Sequence, residues 1–314
     1  MDTLLTTSPK KASEIIKSGG VVAFPTETVY GLGADVFNES AIKKIFEAKN
    51  RPADNPLIVH ISSTEQVQLL AKEITHPAKL LIEKFFPGPL TVVLPKADAV
   101  PSLVSAGLDT VGIRMPRHPI AQEFLTLCQT PVCAPSANLS GRPSPTDWKA
   151  VYEDLNGRID CILQGDVTEI GLESTVVDCS LADPILLRLG AISFEELREV
   201  IPCLRTYKPL EGEPVRSPGL RHKHYAPMGS VFIVSDPTQI EEQPGPIAYI
   251  GLHEPVGDFR IKKICSSVQE YAHELYAFFR QCDRLGIRKI FCEKVSDVGI
   301  GAALMDRLKR ASEK

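Results

Sequence analysis

A dense set of polar and charged side chains surrounds two short apolar runs between Phe24 and His60. The segment reads FPTETVYGLG, then ten to fifteen residues with helical spacing, then FEAKNRPADNPLIVH. Two cations stand beside a proline turn, because Lys49 ends the helical run and Arg51 precedes Pro52. A planar guanidinium suits bidentate contact with phosphate or carboxylate, while an ammonium acts as a point charge. The pattern predicts a site for a small anionic ligand.

These two cations also have a simpler explanation. Lys and Arg at the C-terminal end of a helix complement its dipole without binding anything. The neighbouring strand favours the binding site, because His60 stands within an apolar run where a buried imidazole must find polar partners.

A second polar segment, APSANLSGRPS, follows the predicted strand at residues 131–133. The small residues of such a loop expose backbone N–H groups and hydroxyls to an anion. Ser136, Asn138, Ser140 and Ser144 are the candidate donors. The alternative is a polar turn that leads into the next helix.

Two arginines stand inside or at the end of apolar strands. Arg114 lies in the run TVGIRM, and Arg188 ends the run PILLR. An arginine that faces the interior needs a carboxylate or phosphate partner. For Arg114 an internal ion pair with Asp109 or Glu173 remains the alternative to a ligand.

Several common catalytic and nucleotide motifs are missing from the sequence. It contains neither GxxxxGK[ST] nor GxSxG, and Gly245 and Gly251 do not form GxGxxG. These absences argue against a P-loop, an esterase nucleophile elbow and a dinucleotide fingerprint. No cluster of carboxylates suggests a permanent metal site, although Glu27, Glu173 and Asp178 are candidates to assist a metal that a nucleotide carries.

The bulk properties are those of a soluble two-domain protein. The chain has 314 residues, 43% hydrophobic and 24% charged, with a formal net charge of -4. That charge gives no global attraction to nucleic acid or membrane, so any polyanion site must be a local patch. No apolar run is long enough to span a bilayer, and the N-terminus lacks the pattern of a secretory signal.

The eight cysteines are scattered singly in apolar stretches without a CxxC pair. This spacing predicts buried, reduced thiols in a cytoplasmic protein and makes a zinc site improbable.

The predicted strands and helices that would position these residues alternate irregularly along the chain, which predicts an α/β fold with a twisted mixed sheet. Short runs rich in Val, Ile and Leu predict strands at residues 21–24, 57–61, 90–94, 111–114, 131–133, 161–163, 175–178 and 185–189. Helical spacing predicts helices at residues 40–49, 64–72, 77–85, 119–127, 147–156 and 193–200. In the C-terminal part of the chain the same patterns predict strands at residues 231–235, 247–250 and 289–292 and helices at 268–285 and 301–309.

Three regions follow from composition: a first domain at residues 1–204, a linker at 205–229 and a small α/β domain at 230–314. The linker has four prolines and five Lys and Arg against two acidic residues, a net charge of +3 with neutral histidines. It is either a solvated tether or a lid over the cavity, and we favour the lid.

The motifs together resemble the YrdC-like family of threonylcarbamoyl-AMP synthases. The resemblance runs from Gly19 to Gly190 in one order and rests on FPTETVYGLG, KNRPADNPLIVH, FPGPLTVVL, GLDTVGIRMPRHP, APSANLSGRPSPT and ESTVVD. The later stretch SPGLRHKHYAP, followed by a small domain, resembles the long, two-domain form of that family.

The resemblance implies a fold and a reaction. The fold is a twisted α/β sheet around a large basic cavity, with a small Rossmann-like second domain. The reaction combines L-threonine, bicarbonate or CO2, and ATP, which carries Mg²⁺, to give L-threonylcarbamoyladenylate and pyrophosphate. A tRNA threonylcarbamoyl transferase complex then uses the product, and contact with tRNA itself is a further expectation.

The resemblance also implies residue roles. The family's KxR and SxN signature falls on Lys49, Arg51, Ser136 and Asn138, which are the candidate catalytic residues. The nucleotide-binding positions are Arg51, Asn55, Thr110, Ser136, Ser144 and Arg188. The threonine-binding positions are Thr28, His60, Arg114, Ala134 and Ser174. In the linker, Tyr225 and His224 are the candidate lid residues.

Two other functions remain open at this stage. An RNA-binding module without synthase activity would also use a basic cavity, but the sequence lacks an obvious set of base-stacking aromatics. A related carbamoyl-adenylate-forming enzyme would share the core fold, but the partner domains of such enzymes are not recognisable here.

Overall fold

The computed structural model describes residues 2–207, 225–240 and 245–313, and it builds two sheets with helices packed on them. The first sheet contains β1 (Leu4–Thr6), β2 (Val22–Phe24), β3 (Gly31–Asp35), β4 (Ile58–His60), β5 (Leu90–Pro95), β6 (Thr110–Arg114), β7 (Val132–Ala134), β8 (Cys161–Leu163), β9 (Thr175–Asp178), β10 (Ile185–Arg188) and β11 (Arg205–Thr206). Their spatial order is β1-β8-β2-β3-β7-β4-β6-β5-β9-β10-β11. Parallel and antiparallel pairs alternate irregularly along it, so the predicted mixed sheet is confirmed.

The helices of the first unit are α1 (Pro9–Lys17), α2 (Glu39–Lys49), α3 (Val67–Leu70), α4 (His76–Phe85), α5 (Ser102–Ser105), α6 (Pro119–Cys128), α7 (Trp148–Leu155) and α8 (Phe194–Val200). A 3-10 turn at Thr64–Gln66 precedes α3. Capping interactions determine where several of these helices begin or end. The Asn38 side chain caps the start of α2, and Asn50 adopts the left-handed conformation that ends it. Ser193 and Glu196 form the predicted capping box of α8.

The second unit is a four-stranded parallel sheet in the order β12-β15-β13-β14, so the predicted Rossmann-like architecture is confirmed. Its strands are β12 (Ser230–Val234), β13 (Ile247–Gly251), β14 (Ile261–Ile264) and β15 (Lys289–Glu293). Its helices are α9 (Val268–Arg284) and α10 (Ile300–Ser312), with a 3-10 turn at Pro237–Gln239. Every residue of β13 is buried, as expected for a central parallel strand.

Six strands and α-helices of the fold were not predicted from the sequence. They are β1, α1, β3, α5, β11 and β14. Three of them, β1, β11 and β14, are short strands at sheet edges, where half of the alternating pattern faces solvent. Because β11 pairs with β10, the first sheet continues into residues that composition assigned to the linker.

Seven of the eight cysteines are buried, as their apolar surroundings predict, whereas Cys203 is exposed. Burial raises the pKa of the Cys128 and Cys161 thiols to about 12, so these groups are unreactive as nucleophiles near neutral pH. No helix in the described ranges is long and apolar enough to cross a membrane.

Candidate active site

A cavity of about 610 Å³, a volume that includes its open mouth, lies where the ends of several strands of the first sheet meet. Nine of the residues predicted for the site line it: Thr28, Arg51, His60, Arg114, Ala134, Ser136, Ser174, Arg188 and Tyr225. The sequence separates these residues by almost two hundred positions, and the sheet order brings them together.

Three arginines give the cavity its positive character. Arg51 follows α2, Arg114 ends β6, and Arg188 ends β10. Burial is the main cause that lowers the pKa of Arg51 to about 10, so Arg51 remains cationic at neutral pH. Burial is also the main cause that lowers the pKa of Arg188. Three guanidinium groups in a partly closed space suit a ligand with several negative charges.

Arg114 is held by residues of the segment after β2. Its Nη2 lies 2.8 Å from Oε1 of Glu27, and its Nη1 donates to Oγ1 of Thr28 at 2.7 Å. The internal ion pair considered for Arg114 is therefore present, but its partner is Glu27 rather than Asp109 or Glu173. The guanidinium is thus positioned beside the cavity before any ligand binds.

His60 contributes a neutral imidazole to the cavity wall. Burial, followed by the nearby Arg114 charge, lowers the pKa of His60 to about 3. Its Nδ1 lies 3.2 Å from the carbonyl of Ile58, and its ring meets Phe24 edge to face. A neutral ring beside Arg114 adds no repulsion to a cationic ligand amine.

Lys49 lies behind the polar loop that follows β7. Its Nζ donates to the carbonyl of Ser136 at 2.5 Å and also to the carbonyl of Asn138. Burial, with help from Arg51, lowers the pKa of the Lys49 ammonium well below its usual value. Even a neutral amine keeps two N–H donors for these carbonyls. Lys49 thus contacts the loop through two of its carbonyls, and direct contact of its side chain with phosphate stays a prediction.

The loop itself is closed by its own side chains. Ser136 donates its hydroxyl to Oδ1 of Asn138 at 2.6 Å, and Asn138 donates Nδ2 to the carbonyls of Leu139 and Arg142. The signature residues therefore divide into two groups. Arg51 and Ser136 line the cavity, and Lys49 and Asn138 stabilise the loop that presents Ser136.

Asn55 and Thr110 lie beside the main cavity and do not line it. The Asn55 side chain is buried, and among the described residues neither its Nδ2 nor its Oδ1 has a hydrogen-bond partner. Buried amides are almost always satisfied, so such a group indicates a place for a ligand. Thr110 lines a smaller, mainly apolar cavity, and Ile58 lines both cavities.

Two models of known protein families match this chain. A family model described as "Telomere recombination" (Sua5_yciO_yrdC) matches residues 14–190, and the model for the threonylcarbamoyl-AMP synthase C-terminal domain matches residues 192–313. The chain belongs to the threonylcarbamoyl-AMP synthase family.

Relatives of this family match the chain along almost its whole length. It is 44% identical to a threonylcarbamoyl-AMP synthase of Pyrococcus abyssi, over 96% of this chain and 93% of the relative. It is 41% identical to the Bacillus subtilis protein of the same name, over 99% and 95%. The crystal structure of P. abyssi Sua5 complexed with L-threonine has a TM-score of 0.91 at 42% identity, covering 99% of this chain and 97% of that one. Full-length HypF shares only the fold, with 20% identity over 57% of the chain.

In this member of the family Tyr225 closes one side of the cavity. It is buried, adopts φ of +69°, and stacks on Tyr276 with ring centroids 5.7 Å apart. The guanidinium of Arg307 lies 5.0 Å from the same ring. The other predicted lid residue, His224, lies outside the described residues.

The sequence did not lead us to predict Tyr276 and Arg307. Both belong to the second unit, and both reach the wall of the cavity. Both contact Glu173, which lines the cavity. A signal was present in α10, because helical spacing places Arg307 on the same face as Leu304, Leu308 and Ala311. A charged residue on a buried helix face requires a buried partner.

Proposed function

We propose that this protein is an L-threonylcarbamoyladenylate synthase that joins L-threonine, bicarbonate or CO2, and ATP, and releases pyrophosphate. The observation that carries the proposal is the convergence of Arg51, Arg114 and Arg188 on one cavity of the first sheet. Relatives that align end to end with the chain, and bear the name of this enzyme, support it.

Threonine would bind with its carboxylate on Arg114, which Glu27 and Thr28 already orient. His60, Ala134 and Ser174 would complete this end of the site. Partial burial in the cavity and the nearby Arg114 charge disfavour the ammonium form, so the threonine amine would lose its proton more easily there than in water. The free amine then attacks CO2 or bicarbonate to form a carbamate.

The carbamate oxygen would next attack the α-phosphorus of ATP, and pyrophosphate would leave. Negative charge grows on the phosphate oxygens in this step, and Arg51 and Arg188 stand where they would stabilise it. Ser136 and Ser144 would position the phosphates, and the adenosine would lie towards Asn55 and Thr110. Because carbamates decay in water, the buried ring of Tyr225 would help to exclude solvent.

Mg²⁺ would enter with the nucleotide. Glu173, which lines the cavity, and Glu27, which contacts Arg114, are both engaged by arginines, and the described residues contain no group of metal-ligating side chains. Phosphate oxygens and water would therefore supply most of its ligands. When bound, the ion neutralises phosphate charge.

The product would serve a tRNA threonylcarbamoyl transferase complex in the cytoplasm. The proposed reaction consumes no RNA, so direct contact with tRNA is a separate expectation.

The test is pyrophosphate release from ATP and Mg²⁺, with L-threonine and bicarbonate added singly and together. We expect release only with both, and a large loss in Lys49→Ala, because the Ser136 loop loses two hydrogen bonds. Lys43→Ala, which removes an exposed lysine of the same helix, is the matched control. If the folded protein releases nothing under any combination, the RNA-binding alternative takes its place, and salt-dependent RNA affinity would then test that.

A further inference from the structure

Helices of the second unit extend to the wall of the cavity in the first. Arg307, on α10, is fully buried, and Tyr276, on α9, is fully buried as well. Both have a partner in the first unit, although Arg307 also pairs with Asp306 of its own helix at 2.6 Å. Arg307 donates Nε to Oε2 of Glu173 at 2.9 Å, and the Tyr276 hydroxyl donates to the same oxygen at 3.0 Å.

Arg307 contacts two segments that each carry a residue of the proposed site. Glu173 directly precedes Ser174 at the start of β9. The other contact is from Nη2 to the carbonyl of Leu189, at 2.9 Å, and Leu189 directly follows Arg188 at the end of β10. One guanidinium thereby fixes the separation between the two strand ends.

The segments that Arg307 joins also contact one another. Arg188 donates Nε to the carbonyl of Ser174 at 3.0 Å and Nη2 to its hydroxyl at 3.1 Å. Glu173 accepts a 2.6 Å hydrogen bond from Ser144 through its other oxygen. Glu173 is therefore the common point through which the second unit meets Ser144, Ser174 and Arg188.

The charges of Glu173, Arg307 and Arg188 couple these three residues to one another. Burial tends to raise the pKa of Glu173, but Arg307 and Arg188 outweigh it and keep that pKa below its usual value. A buried carboxylate and a buried guanidinium are each costly alone and tolerable together. The arrangement of the wall is thus coupled to the docking of the second unit.

We propose that Arg307 and Tyr276 are positioning residues, which act through Glu173 to hold Ser144 and Arg188 in the geometry that binds the nucleotide. The assignment of the ligand as ATP rests on the proposed function. The residue that would bind the threonine carboxylate lies outside this network, because Arg114 is held by Glu27 and Thr28 of the first unit.

The experiment measures steady-state kinetics and ATP dissociation constants by calorimetry for Arg307→Met, Arg307→Lys and Tyr276→Phe. We expect Arg307→Met to raise the KM for ATP about tenfold or more, since it removes charge-assisted hydrogen bonds, while the KM for threonine stays within about threefold. Lysine keeps the charge but loses the forked geometry, so Arg307→Lys should lie between wild type and Arg307→Met.

The matched control is Arg284→Gln on α9. Arg284 pairs with Glu153 of the first unit at 3.0 Å, but the pair is about half exposed and away from the cavity wall. We expect its kinetics to match wild type. Tyr276→Phe keeps the ring that stacks on Tyr225 and removes only the hydroxyl, so it tests the network in a protein that should remain folded even if Arg307→Met does not.

Two outcomes overturn the proposal while leaving the proposed function intact. One is an active wild type whose ATP affinity is unchanged in both Arg307→Met and Tyr276→Phe. The other is an equal rise in the KM for ATP and for threonine, which would indicate general loosening of the fold. An inactive wild type contradicts the proposed function instead, and the calorimetric ATP affinities of the variants then still decide the positioning role.

Discussion

His60 occupies a position where protonation opposes folding. Its pKa is about 3 in the folded protein, against about 6.5 when it is exposed. The unfolded chain therefore binds a proton more readily than the folded one. The free energy of unfolding is unaffected by this group above pH 6.5, and it falls as the pH decreases from 6.5 towards 3.

This titration predicts a specific loss of stability in mild acid. Between pH 7 and pH 5 we expect His60 to lower the free energy of unfolding by about 2 kcal/mol, at about 1.4 kcal/mol for each pH unit below 6.5. Urea unfolding of wild type and His60→Gln at both pH values measures it. His118 also has a lowered pKa and contributes to both proteins, so the difference between their pH slopes isolates His60. Equal slopes would contradict the prediction.

Most residues of the site could be predicted from the sequence, but the contacts that each side chain makes could not. The sequence places Lys49 at the end of α2 and cannot show that its ammonium turns towards the carbonyls of Ser136 and Asn138. The carboxylate that meets Arg114 comes from Glu27, eighty-seven positions away in the chain and brought close by the sheet. Such pairings depend on tertiary structure, which no local spacing encodes.

At the scale of elements, β3 shows how a close approach conceals a strand. The segment GLGAD has two glycines, which weaken β propensity, and no strand was predicted there. In the structure Gly33 faces Val132 of β7 and Phe24 of β2, and a Cβ there would lie 2.5 Å and 2.9 Å from their side chains. Glycine is present because no side chain fits between the two neighbouring strands.

The crowding around β3 predicts unequal costs for two matched substitutions. We expect Gly33→Ala to lower the free energy of unfolding by about 1–3 kcal/mol, because Val132 and the Phe24 ring must both shift. Gly31→Ala should cost less, since its nearest neighbour, also on the Phe24 ring, is 3.2 Å away. Chemical denaturation of both variants gives the comparison, and a Gly31→Ala cost equal to or above that of Gly33→Ala would contradict it.

At the scale of the whole molecule, the domain boundary predicted from the sequence does not indicate how strongly the two units interact. Arg280 of α9 forms two hydrogen bonds with Asp154 of α7, at 2.9 and 3.2 Å, and donates to the carbonyl of Pro143 at 2.5 Å. Both side chains are buried. Composition predicted a separate second unit, whereas this contact makes the polar loop of the first unit depend on it.

We therefore expect the two units to unfold together and Arg280→Met to separate them. Removing Arg280 leaves the buried Asp154 carboxylate with Arg142 as its remaining cation, so the cost should lie below the about 3–5 kcal/mol of a buried charge left wholly unpaired. That loss falls at the interface, so calorimetry should change from one thermal transition in wild type to two, with the first at a lower temperature. Arg284→Gln, in the half-exposed pair with Glu153, should shift the free energy of unfolding by less than about 1 kcal/mol and keep a single transition. A single, unshifted transition in Arg280→Met would contradict this prediction and mean that the Arg280–Asp154 contact does not hold the two units together. Among the contacts described, the hydrogen bonds of Arg307 and Tyr276 would then have to couple the second unit to the cavity wall.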